Sequence, residues 1–377
     1  IILAVNTIFG KALEDAMNLE NIDNLFTNTL RMLSVDMIQK ANSGHPGLPL
    51  GASPMAYTLF YKQMKHNPAD PEWDNRDRFV LSAGHGSALL YSLLHIFEYG
   101  VTMEDVKNFR QLGSKTPGHP EFGLTKGVEA TSGPLGQGIA QAVGMAMAEA
   151  RLAAEFNKPG YDVVDHYTFA LCGDGCLQEG VSGEASSLAG HLGLGKLIVL
   201  YDRNQITIEG STDEAFSEDV KMRYQAYGWE VLEVADGNTG FEDINDAIAA
   251  AKSQTDKPTL IIVNTTIGYG SPLQGSEKSH GAPLGDDNIT ELRLALGWEY
   301  PSFTVPEEVT DAVMSFMRAA DENEKSWKSM MEDYAQKYPE DYARYQSYFA
   351  PVESAVFDGD FYEFSESMAT RKASGVV

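Results

Sequence analysis

Cysteine is nearly absent from this chain: 377 residues carry two, Cys172 and Cys176. Two neighbouring thiols cannot build a disulfide framework, which points to a reducing compartment. A Cys-x₃-Cys pair is half a zinc site, but no second pair and no nearby histidine completes a tetrahedral shell, so zinc is disfavoured. Basic residues are also scarce. Lys and Arg number 28 against 54 Asp and Glu, a net charge of −26, which argues against nucleic acid and against an anionic membrane surface as partners. No run reaches the ~18 apolar residues that a membrane span needs. Ile1 to Phe9 is apolar but short, lacks a basic leader and a small-residue cleavage site, and runs into Gly10-Lys11. It reads as neither signal peptide nor span.

What is present is a strand–helix–strand pattern. Tyr167 to Leu171 is a short, β-rich apolar run that ends on Gly173-Asp174-Gly175, so a buried strand should stop in a tight turn with one carboxylate at its tip. Leu177 to Leu192 reads as a helix, and Leu197 to Leu200 as a second buried strand closing on Asp202-Arg203-Asn204. That order demands a parallel sheet with a right-handed crossover. Asp174 and Asn204 then sit at the C-terminal ends of neighbouring strands, where open α/β sheets bind ligands. Their two side-chain oxygens, with a carbonyl from the Asn204-Gln205-Ile206 turn, make a hard shell suited to Mg²⁺, which leaves part of its octahedron to water and phosphate oxygens. A magnesium diphosphate is the expected occupant.

The rest of the chain repeats the alternation. Ile22, Phe26, Leu30, Leu33, Met37 and Ala41 mark a helix with one apolar face, capped by Asn21 or Asp23. Pro49 to Met64 reads as a second helix, Arg78 to Ser82 as a strand and Ser87 to Tyr99 as a helix; a long Gly- and Pro-rich loop, 113–138, leads into a helix bearing Ile139, Val143, Ala146 and Ala150. A loop of that length inside a compact domain is usually functional. Its last residues, Gly133-Pro134-Leu135-Gly136-Gln137-Gly138, fit a ligand-binding entry or close helix packing equally well, and match neither GxGxxG nor the Walker A spacing. Trp229 to Val234 and Thr259 to Val263 read as strands flanking a helix from Phe241 to Lys252, and Val305 to Tyr348 turns charged and helical. Of the eight histidines, His45, His85, His119 and His280 each stand beside Gly in a loop. Four imidazoles opening from one sheet suit binding and deprotonation of hydroxyl groups, as in sugar chemistry. His66 and His95 read as surface or packing residues, His166 as a strand edge and His191 as a helix end.

Eight segments carry a family resemblance: SGHPG at 43–47, SAGHG at 82–86, TPGHPEFG at 116–123, SGPLGQG at 132–138, GDGCLQEG at 173–180, YDRNQITIEG at 201–210, HGAPL at 280–284 and ATRKAS at 369–374. Through them the chain resembles transketolase, over its N-terminal diphosphate-binding domain and the connector that follows. The resemblance implies a doubly wound α/β fold, a mainly parallel sheet with helices on both faces, followed by a helical connector. The expected division is an N-terminal extension at 1–20, a diphosphate-binding domain at 21–304, and a connector at 305–377 that stops where a pyrimidine-binding domain begins. It further implies thiamine diphosphate and Mg²⁺ as cofactors, with Ca²⁺ or Mn²⁺ as substitutes, and transfer of a two-carbon ketol unit from a ketose phosphate to an aldose phosphate.

Position by position, Asp174, Asn204 and the Ile206 carbonyl would hold the metal. His85, Gly173 and Gly175 would meet the diphosphate, Gly133, Pro134 and Leu135 the thiamine portion, and Ile208 would pack on the cofactor. His280 would touch both cofactor and sugar, with His45 and His119 completing the sugar's surroundings. Glu179 would join a proton relay at a subunit interface, and Arg371 would bind the sugar phosphate. The implied partners are sugar phosphates and either a second copy or a complementing chain, because half of each active site would come from a pyrimidine-binding domain. A fragment of a longer protein is the expectation, inactive alone. The implied location is cytoplasmic, with an organelle-targeted form left open. Two alternatives stand beside this reading: a truncated, non-catalytic dimerisation or regulatory partner, and a 1-deoxyxylulose-5-phosphate synthase-like enzyme.

Overall fold

The computed structural model describes the backbone of residues 2–350 and 366–375 and the side chains of residues 22–350 and 366–375. Helix α1 (Ile2–Ala41) leads into α2 (Gly47–Tyr57), which continues as a wider turn over Thr58–Gln63. Strand β1 (Arg78–Leu81) is followed by α3 (Ser87–Ile96), α4 (Met103–Lys107) and α5 (Gln137–Phe156). Then come β2 (Thr168–Gly173), α6 (Asp174–Gln178), α7 (Gly180–Leu192), β3 (Leu197–Arg203) and α8 (Val220–Ala226). Next are β4 (Glu230–Val234), α9 (Phe241–Ser253), β5 (Thr259–Asn264) and α10 (Asp286–Ala295). Last are α11 (Glu307–Lys337), α12 (Pro339–Phe349) and α13 (Thr370–Ser374).

The five strands form one wholly parallel sheet in the order β1-β2-β3-β5-β4. β2, β3 and β5 are buried almost along their whole length, which is why they read as continuous apolar runs instead of alternating ones. Helix α5 packs on β1 and β2, while α2 and α9 pack on β3. Chain contacts divide the molecule into two compact units, Ile1–Met330 and Met331–Val377.

Three expectations change. The first helix begins at Ile2, so neither Asn21 nor Asp23 caps it; Asp23 instead accepts hydrogen bonds from Tyr57 and from Lys62 Nζ at 2.6 Å. Nor has that helix a single apolar face. Phe26, Leu30, Leu33 and Met37 join the main core, while Met32 and Val35 enter a second cluster with Leu50, Leu284, Leu292 and Trp298. Finally, Gly173-Asp174-Gly175 is no free turn: Asp174 opens α6, and Glu179 in an extended conformation separates α6 from α7. The crossover expected as one helix from Leu177 is therefore two.

Candidate active site

The loops leaving the C-terminal ends of β1, β2 and β3 converge. Gly173 pairs with Asp202 across β2 and β3, so Asp174 and Asn204 leave adjacent strands at nearly the same level. Asp174 is buried; its Oδ1 accepts from the Tyr201 hydroxyl at 2.5 Å and its Oδ2 from the Gln205 backbone N–H at 3.0 Å. Burial raises its pKa despite those bonds. Asn204 turns its chain sharply: its Oδ1 accepts from the Ile206 N–H at 3.0 Å, and Gln205 takes a left-handed φ of 61°. A non-glycine residue held there costs roughly 1 kcal/mol or more, which the surrounding bonds must offset.

Asp174 and Asn204 face a cavity of about 320 Å³. His45, His85, His280, Gly133, Leu135, Gly173, Gly175, Glu179, Ile206 and Ile208 share its walls. The expected residues of the first compact unit therefore meet at one place, with two exceptions. His119 lies at the edge: it is exposed, yet a Cβ on Gly133 would come within 3.3 Å of its ring. Pro134, between Gly133 and Leu135, is exposed and lines no part of the cavity. Arg371 lies in the second compact unit, exposed on α13.

The imidazoles form a cluster. Ring centroids lie 5.2 Å apart for His45 and His85, 5.8 Å for His45 and His280, and 5.2 Å for His85 and His280, the last pair stacked. Burial, and then the neighbouring His280, Arg110 and His119, push the His45 pKa down to about 4. Burial also lowers His85, His119 and His280. At neutral pH these rings are uncharged, each with one donating and one accepting nitrogen. Arg110 Nη2 lies 3.3 Å from His45 Nδ1. A guanidinium can only donate, so Nδ1 accepts and the His45 proton sits on Nε2.

The Gly-rich segment serves both readings left open for it. Gly133 and Leu135 form part of the wall. Gly138, at the start of α5, packs so tightly on β1's exit that a Cβ would lie 2.4 Å from Ser82 Cα, and the Ile139 N–H donates to Ser82 Oγ at 3.2 Å. Gly136 holds φ at 80°, which favours glycine.

Sequence reasoning gave no site role to Leu48, Cys176, Gln178 and Thr207, which line the cavity, or to Arg110 and Asp202 beside it. Leu48 adjoins the SGHPG motif, while Cys176, Gln178 and Thr207 lie inside GDGCLQEG and YDRNQITIEG, so all four could have been found by proximity. Arg110 lies in no motif and only folding brings it to His45. Cys176 is buried with a thiol pKa raised by burial, and its Sγ accepts from Ser82 Oγ at 3.5 Å.

The site's chemistry fits a hard cation with an anionic ligand. Among the described residues no cluster of three or more His, Cys, Asp or Glu side chains is arranged to hold a metal. A cation at Asp174 and Asn204 thus needs backbone, water or ligand oxygens to complete its shell, as Mg²⁺ does with phosphates. Two buried polar atoms beside the cavity, His280 Nδ1 and Ser132 Oγ, lack a protein partner, and a buried polar atom without one is costly unless a ligand or water supplies it.

Residues 22–350 match the family model described as transketolase, thiamine diphosphate binding domain. The chain belongs to the transketolase family. A transketolase from Streptococcus pyogenes is 57% identical over 360 residues, 95% of this chain and 49% of that protein. Transketolase 1 of Saccharomyces cerevisiae is 56% identical over 322 residues, 85% of this chain and 47% of that protein. Among solved structures, a Pichia stipitis transketolase in complex with sedoheptulose-7-phosphate is 52% identical and superposes with a TM-score of 0.85, covering 86% of this chain and 48% of that one. A Leishmania mexicana transketolase superposes at 0.88, with 47% identity, 94% of this chain and 52% of that one. The chain thus spans about half the length of the transketolases it matches. These matches support the transketolase reading over the 1-deoxyxylulose-5-phosphate synthase alternative.

Proposed function

We propose that this chain supplies the diphosphate-binding half of a transketolase active site, dependent on thiamine diphosphate and Mg²⁺. The reaction would move a two-carbon ketol unit from a ketose phosphate to an aldose phosphate. One observation carries the reading: Asp174, Asn204, three uncharged imidazoles and a glycine-lined wall share a single cavity at the carboxyl end of a parallel sheet.

In this reading Asp174, Asn204 and the Ile206 carbonyl would hold Mg²⁺, while His85 and the open backbone at Gly173 and Gly175 would meet the diphosphate. Gly133, Leu135 and Ile208 would bound the organic part. When bound, the cofactor supplies the carbanion chemistry, and the protein orients it. His45 would donate its Nε2–H to a sugar oxygen, while His119 and His280 would accept hydrogen bonds from sugar hydroxyls and accept or return their protons, a role that needs the neutral form. The lowered pKa values favour that form at neutral pH. Leu48, Leu135 and Ile208 would exclude water from the wall; Ile208 is 60% exposed as it stands, which a bound ligand would cover.

Glu179, exposed at the cavity's edge, would face a second subunit, and Arg371 would take the sugar phosphate; these two roles rest on their motifs. Residues 21–304 would be the diphosphate-binding domain and 305–377 the connector, with the pyrimidine-binding region supplied by a second domain, by homodimerisation or by a complementing chain. We place the reaction in the pentose phosphate pathway and the chain in the cytoplasm, although relatives from Arabidopsis thaliana and Zea mays carry the name chloroplastic. No helix among the described residues is long and apolar enough to cross a membrane.

Isothermal titration with thiamine diphosphate, with and without Mg²⁺, tests the binding half. Metal-dependent binding is expected. Transfer from xylulose 5-phosphate to ribose 5-phosphate should then appear once a pyrimidine-binding domain is restored. No metal-dependent binding after that restoration would reject the reading.

A further inference from the structure

Asp202 ends up fully buried near the end of β3. Its Oδ1 accepts from the Thr265 hydroxyl, which stands just past the end of β5. Its Oδ2 accepts from Asn204 Nδ2 at 2.8 Å. The Asn204 oxygen, on the other branch of the same carboxamide, accepts from the Ile206 N–H at 3.0 Å. Turning that amide over would set oxygen against carboxylate and NH₂ against N–H, losing both bonds and opposing like partners. Only one orientation is satisfied.

We propose that Asp202, braced by Thr265, is a positioning residue that fixes the Asn204 carboxamide with its nitrogen inward, leaving the oxygen lone pair that does not face the Ile206 N–H to serve a cation beside Asp174. The assignment rests on the metal and cofactor reading above. An asparagine is a metal ligand only through its oxygen, and the two ends of a carboxamide differ little in shape. Something must therefore choose between them: Asp202 in its ionised form, which accepts but never donates, and the Ile206 N–H, which only donates, select the same orientation. Partners that orient a metal ligand from behind commonly matter about 10- to 100-fold in metal affinity.

The test is a titration of Mn²⁺, followed by electron paramagnetic resonance, in the presence of saturating thiamine diphosphate, so that no turnover is needed. Asp202→Asn should weaken Mn²⁺ binding at least ~10-fold. The exchange variant Asp202→Asn with Asn204→Asp should bind within ~3-fold of wild type, since a carboxylate at position 204 offers oxygen in either orientation and a carboxamide at position 202 can donate to it. Thr265→Val removes only the brace and should weaken binding by about 3-fold; it reports on the assignment even if Asp202→Asn does not fold. Equal affinity in Asp202→Asn, or in Thr265→Val, overturns the assignment, as does an exchange variant that folds but binds no better than Asp202→Asn. Wild-type protein that binds no metal with the cofactor even after a pyrimidine-binding domain is restored would instead overturn the cofactor reading itself. Wild-type binding with unaltered variants leaves that reading standing and removes only the role of Asp202.

Discussion

The two ends of the same sheet are built on opposite terms. Where the strands begin, charges close on one another. Asp77, just before β1, accepts from the Lys65 and Tyr167 backbone N–H groups, both at 2.7 Å. Lys196, just before β3, bridges Glu149 at 2.6 Å and Asp165 at 2.8 Å. Arg76 grips Glu129 with two bonds, at 2.8 and 2.9 Å. His166, beneath these groups, is held neutral, its pKa pushed down to about 2 by burial and by Arg78, Lys65 and Lys196. Where the strands end, Asp174 has no cationic partner among its bonds, and the imidazoles face one another without charge around a cavity. The first end stabilises the fold; the second has the make-up of the proposed binding site.

Removing the key group from each end should separate binding from stability. Asp174→Ala should weaken Mg²⁺-dependent thiamine diphosphate binding more than ~100-fold in isothermal titration, with the circular dichroism spectrum of wild type; unchanged affinity would break the contrast. At the opposite end, Glu129→Gln leaves Arg76 and Arg78 without their carboxylate. It should cost about 2 kcal/mol of stability, below the range for a fully buried pair because some solvent reaches it. Urea denaturation reads that loss, and cofactor affinity should not move.

Much of this contrast was readable beforehand, though unevenly. The strand cores and the pairing of Asp174 with Asn204 followed from apolar runs and from the geometry of a crossover, because a parallel sheet buried on both faces leaves a strong, local mark. The bonds of Tyr201 to Asp174 and Asp202 to Asn204 were hidden, since each depends on which side of a strand its residue faces. The two-sided burial of α1 was hidden as well. A helix pressed between two clusters shows little periodicity, so the positions of Met32 and Val35 were not recognisable as core.

Acid should sharpen the comparison more gently. His45, and His66 in the main core, have pKa values lowered to about 4 in the folded protein, both first by burial, against ~6.5 when unfolded. The unfolded chain therefore binds more protons between these values. The stability these residues contribute is complete above about pH 6.5 and is lost as the pH falls toward 4. Melting temperature should decline across that window, and His45→Gln should reduce the slope; a flat profile would show the rings to be better hydrated than the fold implies. The smallest effect is expected from Ile208→Ala, about a 3-fold loss of thiamine diphosphate affinity by fluorescence titration, from the apolar area that a bound ligand would no longer cover.

Hydrophobic runs, glycine placement and the short histidine-bearing motifs determined the fold class and most of the walls of the cavity, because each depends on neighbours within a few residues or on one crossover. Folding alone decided what those walls can do. It set Arg110 against His45, fixing a tautomer. It enclosed the imidazoles until they could not keep a charge, and it placed Asp202 and Thr265 behind Asn204. Apart from the bond between Asp202 and its near neighbour Asn204, these are contacts across tens to hundreds of residues whose strength depends on the exclusion of water, and the order of letters records neither.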